Sequence, residues 1–297
     1  MKPLSSVKIF KTNIPNLEIA MQLQDKLAAL YPQAVLNFGF QDYDKTLHIG
    51  AAAVPTNAIV AQVQSFGFEC TVLTDNSGAE PQLSVERMAN FWEDSFKQYQ
   101  TMWGFEPAKA AVLTKNKFLK NNIYNILIPG FGYGRNAKIF IDNGIQVTGI
   151  EIAPTAMDLA RQQFGETIPI YHGSVTDMPF DTKIYTGIFC YGLLYLLDAA
   201  QRKKLLNDCY QQLAPGGIMV FTVISKNSPN YGKGKRITDD TFEIAEGGQL
   251  FFYDAEAVER EFKDVNLLEY TEIDEQSNPN PGKPTLKFFL VTCKRPL

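Results

Sequence analysis

Three glycines and one acid are the residues of this chain whose types and spacing are best suited to chemistry. The glycines are Gly130, Gly132 and Gly134. They follow an apolar run that predicts a buried strand, and a helical segment begins at Asn136. A second predicted strand, 147–150, is followed directly by Glu151. Glycines let a backbone approach a ligand closely, and a helix N-terminus offers free N–H groups and a positive dipole end. An acid at the tip of the second strand suits a ribose diol, so the pattern predicts a site for a nucleotide-like cofactor.

The spacing of the glycines separates two kinds of cofactor. A dinucleotide fingerprint reads G-x-G-x-x-G, whereas the third glycine here comes one residue early and Arg135 occupies the expected position. A loop of the form G-x-G-x-G suits a ligand without a pyrophosphate. The spacing therefore disfavours a nicotinamide-dependent oxidoreductase, which stays the weaker alternative.

The segment 126–136 resembles the cofactor motif of class I S-adenosylmethionine-dependent methyltransferases. The amino-acid sequence of this motif is most similar to that of the small-molecule members, such as the tellurite-resistance and thiol methyltransferase relatives. The resemblance implies that S-adenosyl-L-methionine is the cofactor and that the acid after the second strand binds its ribose. The cofactor-binding residues implied in this part of the chain are Gly130, Phe131, Gly132, Gly134, Asn136, Glu151 and Ile152. A protein that binds the cofactor or a partner without turnover is the alternative from another class.

The same resemblance implies further cofactor contacts on either side of this segment. An acid after the third strand would bond the adenine amino group and the next side chain would pack on the ring, which points to Asp177 and Met178. Cys190 and Tyr191 would line the methionine arm, and Trp103 in a Trp-Gly-x-x-Pro segment would lie over the cofactor. The alternatives are a capping aspartate, a core methionine and core tryptophans without a ligand.

The polar stretch 225–253 is too long for a simple connection after the fifth predicted strand. Its counterpart in related methyltransferases is a lid over the acceptor pocket. Cations near aromatic side chains could hold an anionic acceptor there, unless the stretch is a solvated loop. The candidate substrate-binding residues are Tyr195, Tyr231, Lys233, Lys235, Arg236 and Tyr253. No histidine falls in the stretch, so no general base and no catalytic residue is assigned.

Composition excludes several functional classes. The net charge of −4 and the pI of about 5.4 argue against a nucleic-acid-binding surface. No apolar run reaches membrane-spanning length, and the N-terminus has no apolar signal region. The four cysteines form no C-x-x-C pair and there are two histidines, so neither a disulfide framework nor a metal site is expected. A cytoplasmic protein with a small-molecule acceptor and no nucleic-acid or membrane partner is the simplest interpretation.

The chain is expected to contain two domains. Residues 1–74 show the order βαββαβ, which is the ferredoxin-like pattern. This domain resembles a heavy-metal-associated domain, but its ligand loop, 11–16, lacks the Cys-x-x-Cys of that family. The domain is therefore a candidate packing or dimerising partner, with a homodimer as the candidate assembly. Residues 75–90 are expected to be a linker, and 91–297 the methyltransferase domain.

Alternating helices and strands follow in the second domain. This order predicts a Rossmann-like, mostly parallel α/β sheet with helices on both faces. Asp198 and Gln201 are spaced as a capping box at the start of a long helix. Two final strands, 266–273 and 285–293, are expected to form an antiparallel hairpin with its turn in 277–284.

Overall fold

The chain divides into two compact units, Met1–Gln82 and Leu83–Leu297, in this computed structural model. The structure describes residues 7–15, 17–32, 35–39, 45–50, 56–75, 85–243, 248–276 and 284–297. Most of the expected linker and most of the expected hairpin turn lie outside the described residues. Helix α3 begins at Val85, within the segment expected to be linker.

The first unit is an antiparallel sheet with two helices. Its elements are β1 Val7–Thr12, α1 Leu17–Leu30, β2 Val35–Gly39, β3 Lys45–Gly50, α2 Thr56–Ser65 and β4 Cys70–Asp75. The strands lie in the order β2-β3-β1-β4, and every neighbouring pair is antiparallel. Both helices carry apolar residues at spacings of three and four, which places them on one face. The resulting core includes Phe10, Leu23, Leu27, Leu47, Ile59 and Val63.

The second unit alternates strands and helices. Its helices are α3 Val85–Tyr99, α4 Lys109–Lys120, α5 Ala137–Ile141, α6 Pro154–Phe164, α7 Ala199–Gln212 and α8 Ala255–Phe262. Its first five strands are β5 Asn125–Pro129, β6 Gln146–Glu151, β7 Ile170–His172, β8 Tyr185–Cys190 and β9 Leu213–Ile224. Its last five are β10 Lys235–Arg236, β11 Thr241–Glu243, β12 Gln249–Phe251, β13 Leu267–Glu275 and β14 Leu286–Lys294.

Seven of these strands form one sheet in the order β13-β14-β9-β8-β5-β6-β7. The pairs from β9 to β7 are parallel, whereas β14 pairs antiparallel with both β9 and β13. A mostly parallel sheet with an antiparallel pair at its C-terminal end confirms the Rossmann-like fold predicted from the sequence. Strand β9 begins at Leu213, directly after the end of α7 at Gln212.

The core lies on both faces of the sheet because side chains alternate along each strand. In β9, Met219, Phe221 and Val223 belong to the cluster that includes residues of α7 and α8. Val220 and Ile224 belong to the cluster that includes residues of α4 and α5. Burial on both faces explains why the parallel strands read as continuous apolar runs.

Two helix starts anchor this arrangement. Asp198 accepts a hydrogen bond from the Gln201 backbone at 2.8 Å, and the Gln201 side chain accepts one from the Asp198 backbone at 3.1 Å. This confirms the predicted capping box of α7. Asp254 caps α8 by accepting from Ala257 N at 2.8 Å. None of the helices in the described ranges is long and apolar enough to cross a membrane.

Candidate active site

A cavity of about 300 Å³ opens in the second unit where the parallel strands end. Gly130 follows β5, Glu151 ends β6, Gly173 follows β7, Tyr191 follows β8 and Ile224 ends β9, and all five line the cavity. The carboxyl edge of an open α/β sheet is where ligands bind in such folds. The topology thus gathers at one place residues that are nearly 100 positions apart in sequence.

The loop after β5 is held open to the cavity by its glycines. Gly130 and Gly132 have φ angles of +72° and +59°, which side chains other than glycine rarely adopt. The backbone N–H groups of Gly130 and Phe131 donate to the Ile150 carbonyl at 3.0 and 2.9 Å, which ties the loop to β6. Gly134 has a different role: a Cβ there would collide with Phe164. Gly134 therefore permits close packing beneath the loop and does not line the cavity.

Glu151 is buried, with 5% of its surface exposed, and its carboxylate is fixed entirely by backbone N–H groups. It accepts hydrogen bonds from Gly132 at 2.7 Å and from Ile152 and Ala153 at 2.9 Å each. Burial raises the pKa of this carboxyl, and the three N–H donors oppose the rise. The carboxylate therefore joins the glycine loop to the end of β6 at the cavity wall.

Aromatic side chains from two segments before β5 cover the glycine loop. Trp92 and Phe96 of α3 pack with Trp103, at ring-centroid distances of 6.2 and 6.0 Å from it. Trp103 stacks on Tyr133 at 6.3 Å with an interplanar angle of 10°. The Tyr133 hydroxyl donates to the Gly104 carbonyl at 2.6 Å. These contacts fix the Trp-Gly segment over the loop, and all four rings line the cavity.

The segment between α3 and α4 is also held by the loop after β5. Asn136 Oδ1 accepts a hydrogen bond from Ala108 N at 2.9 Å. Arg135 is buried, and its Nε donates to the Glu106 carbonyl at 2.6 Å. Both residues line the cavity. Arg135 was not predicted as a site residue, although its position in the glycine motif was the available signal.

A buried acid lies close to the same region. Glu275, at the end of β13, accepts hydrogen bonds from Lys109 N at 2.9 Å and Ala110 N at 3.0 Å, the first residues of α4. Burial raises the pKa of the Tyr191 hydroxyl, and the negative charge of Glu275 raises it more than the positive charge of Arg135 lowers it. Tyr191 is therefore a neutral phenol at physiological pH.

The predicted cofactor residues divide into two groups. Those that line the cavity are Trp103, Gly130, Phe131, Gly132, Asn136, Glu151, Ile152 and Tyr191. Those that do not are Gly134, Asp177, Met178 and Cys190. Asp177 is exposed on the short 3-10 turn Val175–Asp177, whereas Met178 and Cys190 are buried in the core.

Residues earlier in the same turn face the cavity instead. Ser174 and Thr176 line it together with Gly173 and Val175. Their hydroxyls lie 2.7 Å apart, and Ser174 Oγ also accepts from Thr176 N at 3.2 Å. Their position directly after β7 at the sheet edge was the signal by which sequence reasoning could have found them.

The stretch 225–253 forms a small antiparallel sheet, β10-β11-β12, which we call the flap. Lys226 pairs with Asp240 at 2.8 Å and with Asp254 at 2.7 Å. Asn230 and Leu250 of the flap line the cavity.

The predicted acceptor residues lie mostly elsewhere on the flap. Tyr195 lines the cavity, but Tyr231, Lys233, Lys235, Arg236 and Tyr253 do not. Lys235 pairs with Glu243 at 3.7 Å, and Arg236 pairs with Asp239. Tyr231 packs between Phe242 and Phe252, and Tyr253 is fully buried. Among the described residues, no group of three or more His, Cys, Asp or Glu side chains could hold a metal ion.

Comparison with known proteins defines the class of this unit. Residues 127–221 match the family model described as "Methyltransferase domain". This match spans β5 to most of β9, which includes the glycine loop and Glu151. This stretch of the chain is therefore similar to a methyltransferase domain. No curated protein matches the sequence.

Solved structures agree with this assignment of the fold. A Burkholderia thailandensis 1,6-didemethyltoxoflavin-N1-methyltransferase is 15% identical, with a TM-score of 0.57 over 77% of this chain and 96% of its own. A protein described under conversion of a disulfide bond into a thioacetal group during echinomycin biosynthesis is 16% identical, with a TM-score of 0.56 over 70% and 92%. A Clostridium acetobutylicum S-adenosylmethionine-dependent methyltransferase is 14% identical, with a TM-score of 0.51 over 71% and 99%. At these identities the likeness establishes the fold.

Proposed function

We propose that this protein is an enzyme that transfers the methyl group of S-adenosyl-L-methionine to a small-molecule acceptor. The observation that carries the proposal is the meeting of the glycine loop and Glu151 at one cavity wall, within the stretch that matches a methyltransferase domain. The similar Burkholderia thailandensis structure is described with S-adenosylhomocysteine and 1,6-didemethyltoxoflavin bound, which supports the same cofactor and a small acceptor.

The residues around the ends of β5, β6 and β7 fit this cofactor. Glu151 would accept hydrogen bonds from the ribose hydroxyls, in addition to those from the backbone donors that hold it. The glycine loop offers close backbone approach without Cβ atoms. Ser174 and Thr176 line the cavity near the position at which the adenine edge would lie, and Asp177 N donates to the Ser174 carbonyl at 2.9 Å. We therefore assign adenine recognition to the turn as a whole, with Asp177 and Met178 shaping it.

When bound, S-adenosyl-L-methionine supplies a methyl group on a positively charged sulfur, which is already activated toward a nucleophile. The chain's own contribution is then alignment and exclusion of water. Trp92, Phe96 and Trp103 cover the glycine loop, and Tyr191 and Tyr195 also line the cavity. Holding two reactants in line can supply on the order of 7–11 kcal/mol of the barrier. No described histidine lines the cavity, so the proposal assigns no general base.

Binding and turnover test the proposal separately. Calorimetry with S-adenosylhomocysteine, S-adenosyl-L-methionine and NAD should show binding of the first two alone. Ligand at about 100 times its dissociation constant should stabilise the fold by about 2.7 kcal/mol, which a melting curve detects. Labelled methyl donor with a metabolite extract should yield labelled small molecules. Binding without any transfer would indicate a non-catalytic cofactor-binding protein, and binding of NAD would indicate an oxidoreductase.

We propose that the first unit is a ferredoxin-like module, that it serves as a packing or dimerising partner, and that it does not bind soft metal ions. The strand order β2-β3-β1-β4 with two helices supports the fold assignment. Burial raises the pKa of Cys70, the cysteine of this unit, to about 11, which keeps its thiol protonated. Removal of this unit should change the oligomeric state, which sedimentation analysis would show.

From composition alone, we propose a cytoplasmic location without nucleic-acid or membrane partners.

A further inference from the structure

We propose that the methyl acceptor is a neutral, planar heteroaromatic molecule, bound against the aromatic side chains over β8, β9 and β14. The inference rests on the proposed function, because it concerns the half of the same cavity that the methyl donor would leave free. Donor contacts come from the ends of β5, β6 and β7. The acceptor must therefore approach from the other half, which lies over the neighbouring strands of the sheet.

This half of the cavity is a wall of rings and aliphatic side chains. Tyr195 lies 5.9 Å from the Phe288 ring at 47°, and Tyr191 lies 6.4 Å from it at 32°. Ile224, Leu250 and Leu286 complete the wall. A flat molecule can make offset or tilted contacts with such rings, at centroid distances of roughly 4.5–7 Å. The wall thus favours a planar apolar body.

The charges at the cavity do not favour an anion. Of the described residues that line it, Glu151 and Arg135 are the charged ones. The Glu151 carboxylate is held by three backbone N–H groups. Arg135 is buried, and its Nε donates to the Glu106 carbonyl at 2.6 Å. An anionic acceptor would therefore meet an apolar wall whose one cation among the described lining residues, Arg135, already has a partner.

The flap does not supply the missing positive charge. Lys233, Lys235 and Arg236 are exposed and lie outside the cavity lining. Lys235 pairs with Glu243 and Arg236 pairs with Asp239, both acids of the flap itself. The cations of the flap are thus exposed to solvent, and two of them are paired with acids outside the cavity lining. An anionic acceptor, which these cations suggest from the sequence, is the competing hypothesis.

A neutral nitrogen nucleophile is also consistent with the lack of an assigned general base, because its lone pair can attack without prior deprotonation. The acceptor nitrogen uses its lone pair to form the bond to the methyl carbon, while the carbon–sulfur bond breaks and leaves its electron pair on sulfur. The positive charge passes from sulfur to nitrogen, so the net charge in the cavity is unchanged. If that nitrogen carries a hydrogen, its proton leaves to water afterwards. No charge has to be desolvated on the acceptor, which an apolar wall would oppose.

The test compares two probes of the same shape on the full chain saturated with S-adenosylhomocysteine. Isoquinoline is neutral at neutral pH, and an isoquinoline carboxylate has the same ring with one negative charge. Calorimetry should show isoquinoline binding tighter by about tenfold or more, because a carboxylate buried without a cationic partner is strongly disfavoured. Both tryptophans of the chain line the cavity, so quenching of their fluorescence is a second readout of occupancy. Mass spectrometry with the methyl donor should detect the N-methylated ring.

A matched pair of variants locates the site. Phe288→Leu removes a ring of the wall but keeps an apolar side chain, and should weaken isoquinoline binding by about two- to tenfold. The control Tyr124→Leu removes a half-exposed ring outside the cavity and should change nothing. Neither variant should alter S-adenosylhomocysteine affinity.

Three results would overturn the inference while the proposed function survives. These are equal or tighter binding of the carboxylate, its weakening on changing Lys235 and Arg236 together to alanine, and unaltered isoquinoline binding in Phe288→Leu. Failure of S-adenosylhomocysteine itself to bind would instead overturn the proposed function.

Discussion

Glu151→Ala should weaken binding of S-adenosylhomocysteine by about 10- to 100-fold. The carboxylate is 5% exposed and held by three backbone N–H groups, so it is fixed before the ligand arrives. Little ordering then remains to oppose its bonds to the ribose hydroxyls. A hydrogen bond to a charged group contributes about 1.5–3 kcal/mol, and each 1.4 kcal/mol is about tenfold in affinity.

The substitution also has a structural effect that must be measured separately. Alanine leaves the N–H groups of Gly132, Ile152 and Ala153 without their acceptor, which costs about 1–3 kcal/mol for buried donors. Glu151→Gln keeps the shape and one accepting oxygen, but its amide nitrogen would face a backbone donor. Affinity by calorimetry should therefore fall in the order wild type, glutamine, alanine. Melting curves should show both variants folded. Unchanged affinity in a folded Glu151→Ala protein would refute the assignment of this residue to the ribose.

Stability and donor binding should both depend on the titration of Glu151. Burial raises its pKa, so the folded protein binds this proton more tightly than the unfolded chain does. Its contribution to stability is therefore present at low pH and is lost as pH rises through the folded pKa. Donor binding has the opposite trend, because ribose hydroxyls need the ionised form. Affinity should fall as pH falls toward this raised pKa, and Glu151→Gln should show no such decline.

Three further predictions concern other parts of the chain. Gly132→Val should abolish detectable donor binding, because φ is +59° there and β-branched residues are strained at that angle; calorimetry on the folded variant checks this, and retained affinity would contradict it. Lys226→Met removes the ion pairs of the flap residue Lys226 to Asp240 and Asp254, each of which contributes up to about 1 kcal/mol. The KM for the acceptor should therefore rise while the affinity for the donor stays constant. A loss of donor affinity would contradict the assignment of the flap to the acceptor. Cys70→Ser should leave copper(I) and zinc binding by the full chain unchanged, as measured by competition with a chelator, and a lost sub-micromolar site would show that the first unit carries metal after all.

The fold was largely predictable from the sequence because its signals are local. The glycines and Glu151 mark two successive strand ends within 21 residues of chain. The capping box at Asp198 and Gln201 is a four-residue pattern, and the structure confirms it. The parallel order of the sheet follows from the alternation of strands and helices. Each of these inferences needed only the spacing of nearby residues.

In the turn after β7, the spacing of nearby residues did not predict which side chains line the cavity. Asp177 was expected at the adenine because an acid follows the third strand, yet Ser174 and Thr176 line the cavity while Asp177 is exposed. The residues Val175–Asp177 form one 3-10 turn, so successive side chains point in different directions. The sequence pointed to a segment that reaches the cavity, but which residues of a single turn line the cavity depends on the direction of each side chain.

The proposed acceptor half of the cavity was less predictable for a different reason, which also bears on its proposed chemistry. The proposed donor contacts lie mostly between Gly130 and Thr176, with an aromatic cover from Trp92, Phe96 and Trp103. The proposed acceptor wall combines Tyr191 after β8, Leu250 of β12 and Phe288 of β14. Side chains that converge from such distant segments must pack against one another as well as against a ligand, which favours apolar and aromatic residues over charged ones. The flap cations were conspicuous in the sequence because they are solvated, whereas residues that surround an acceptor resemble an ordinary core until the strand order is known.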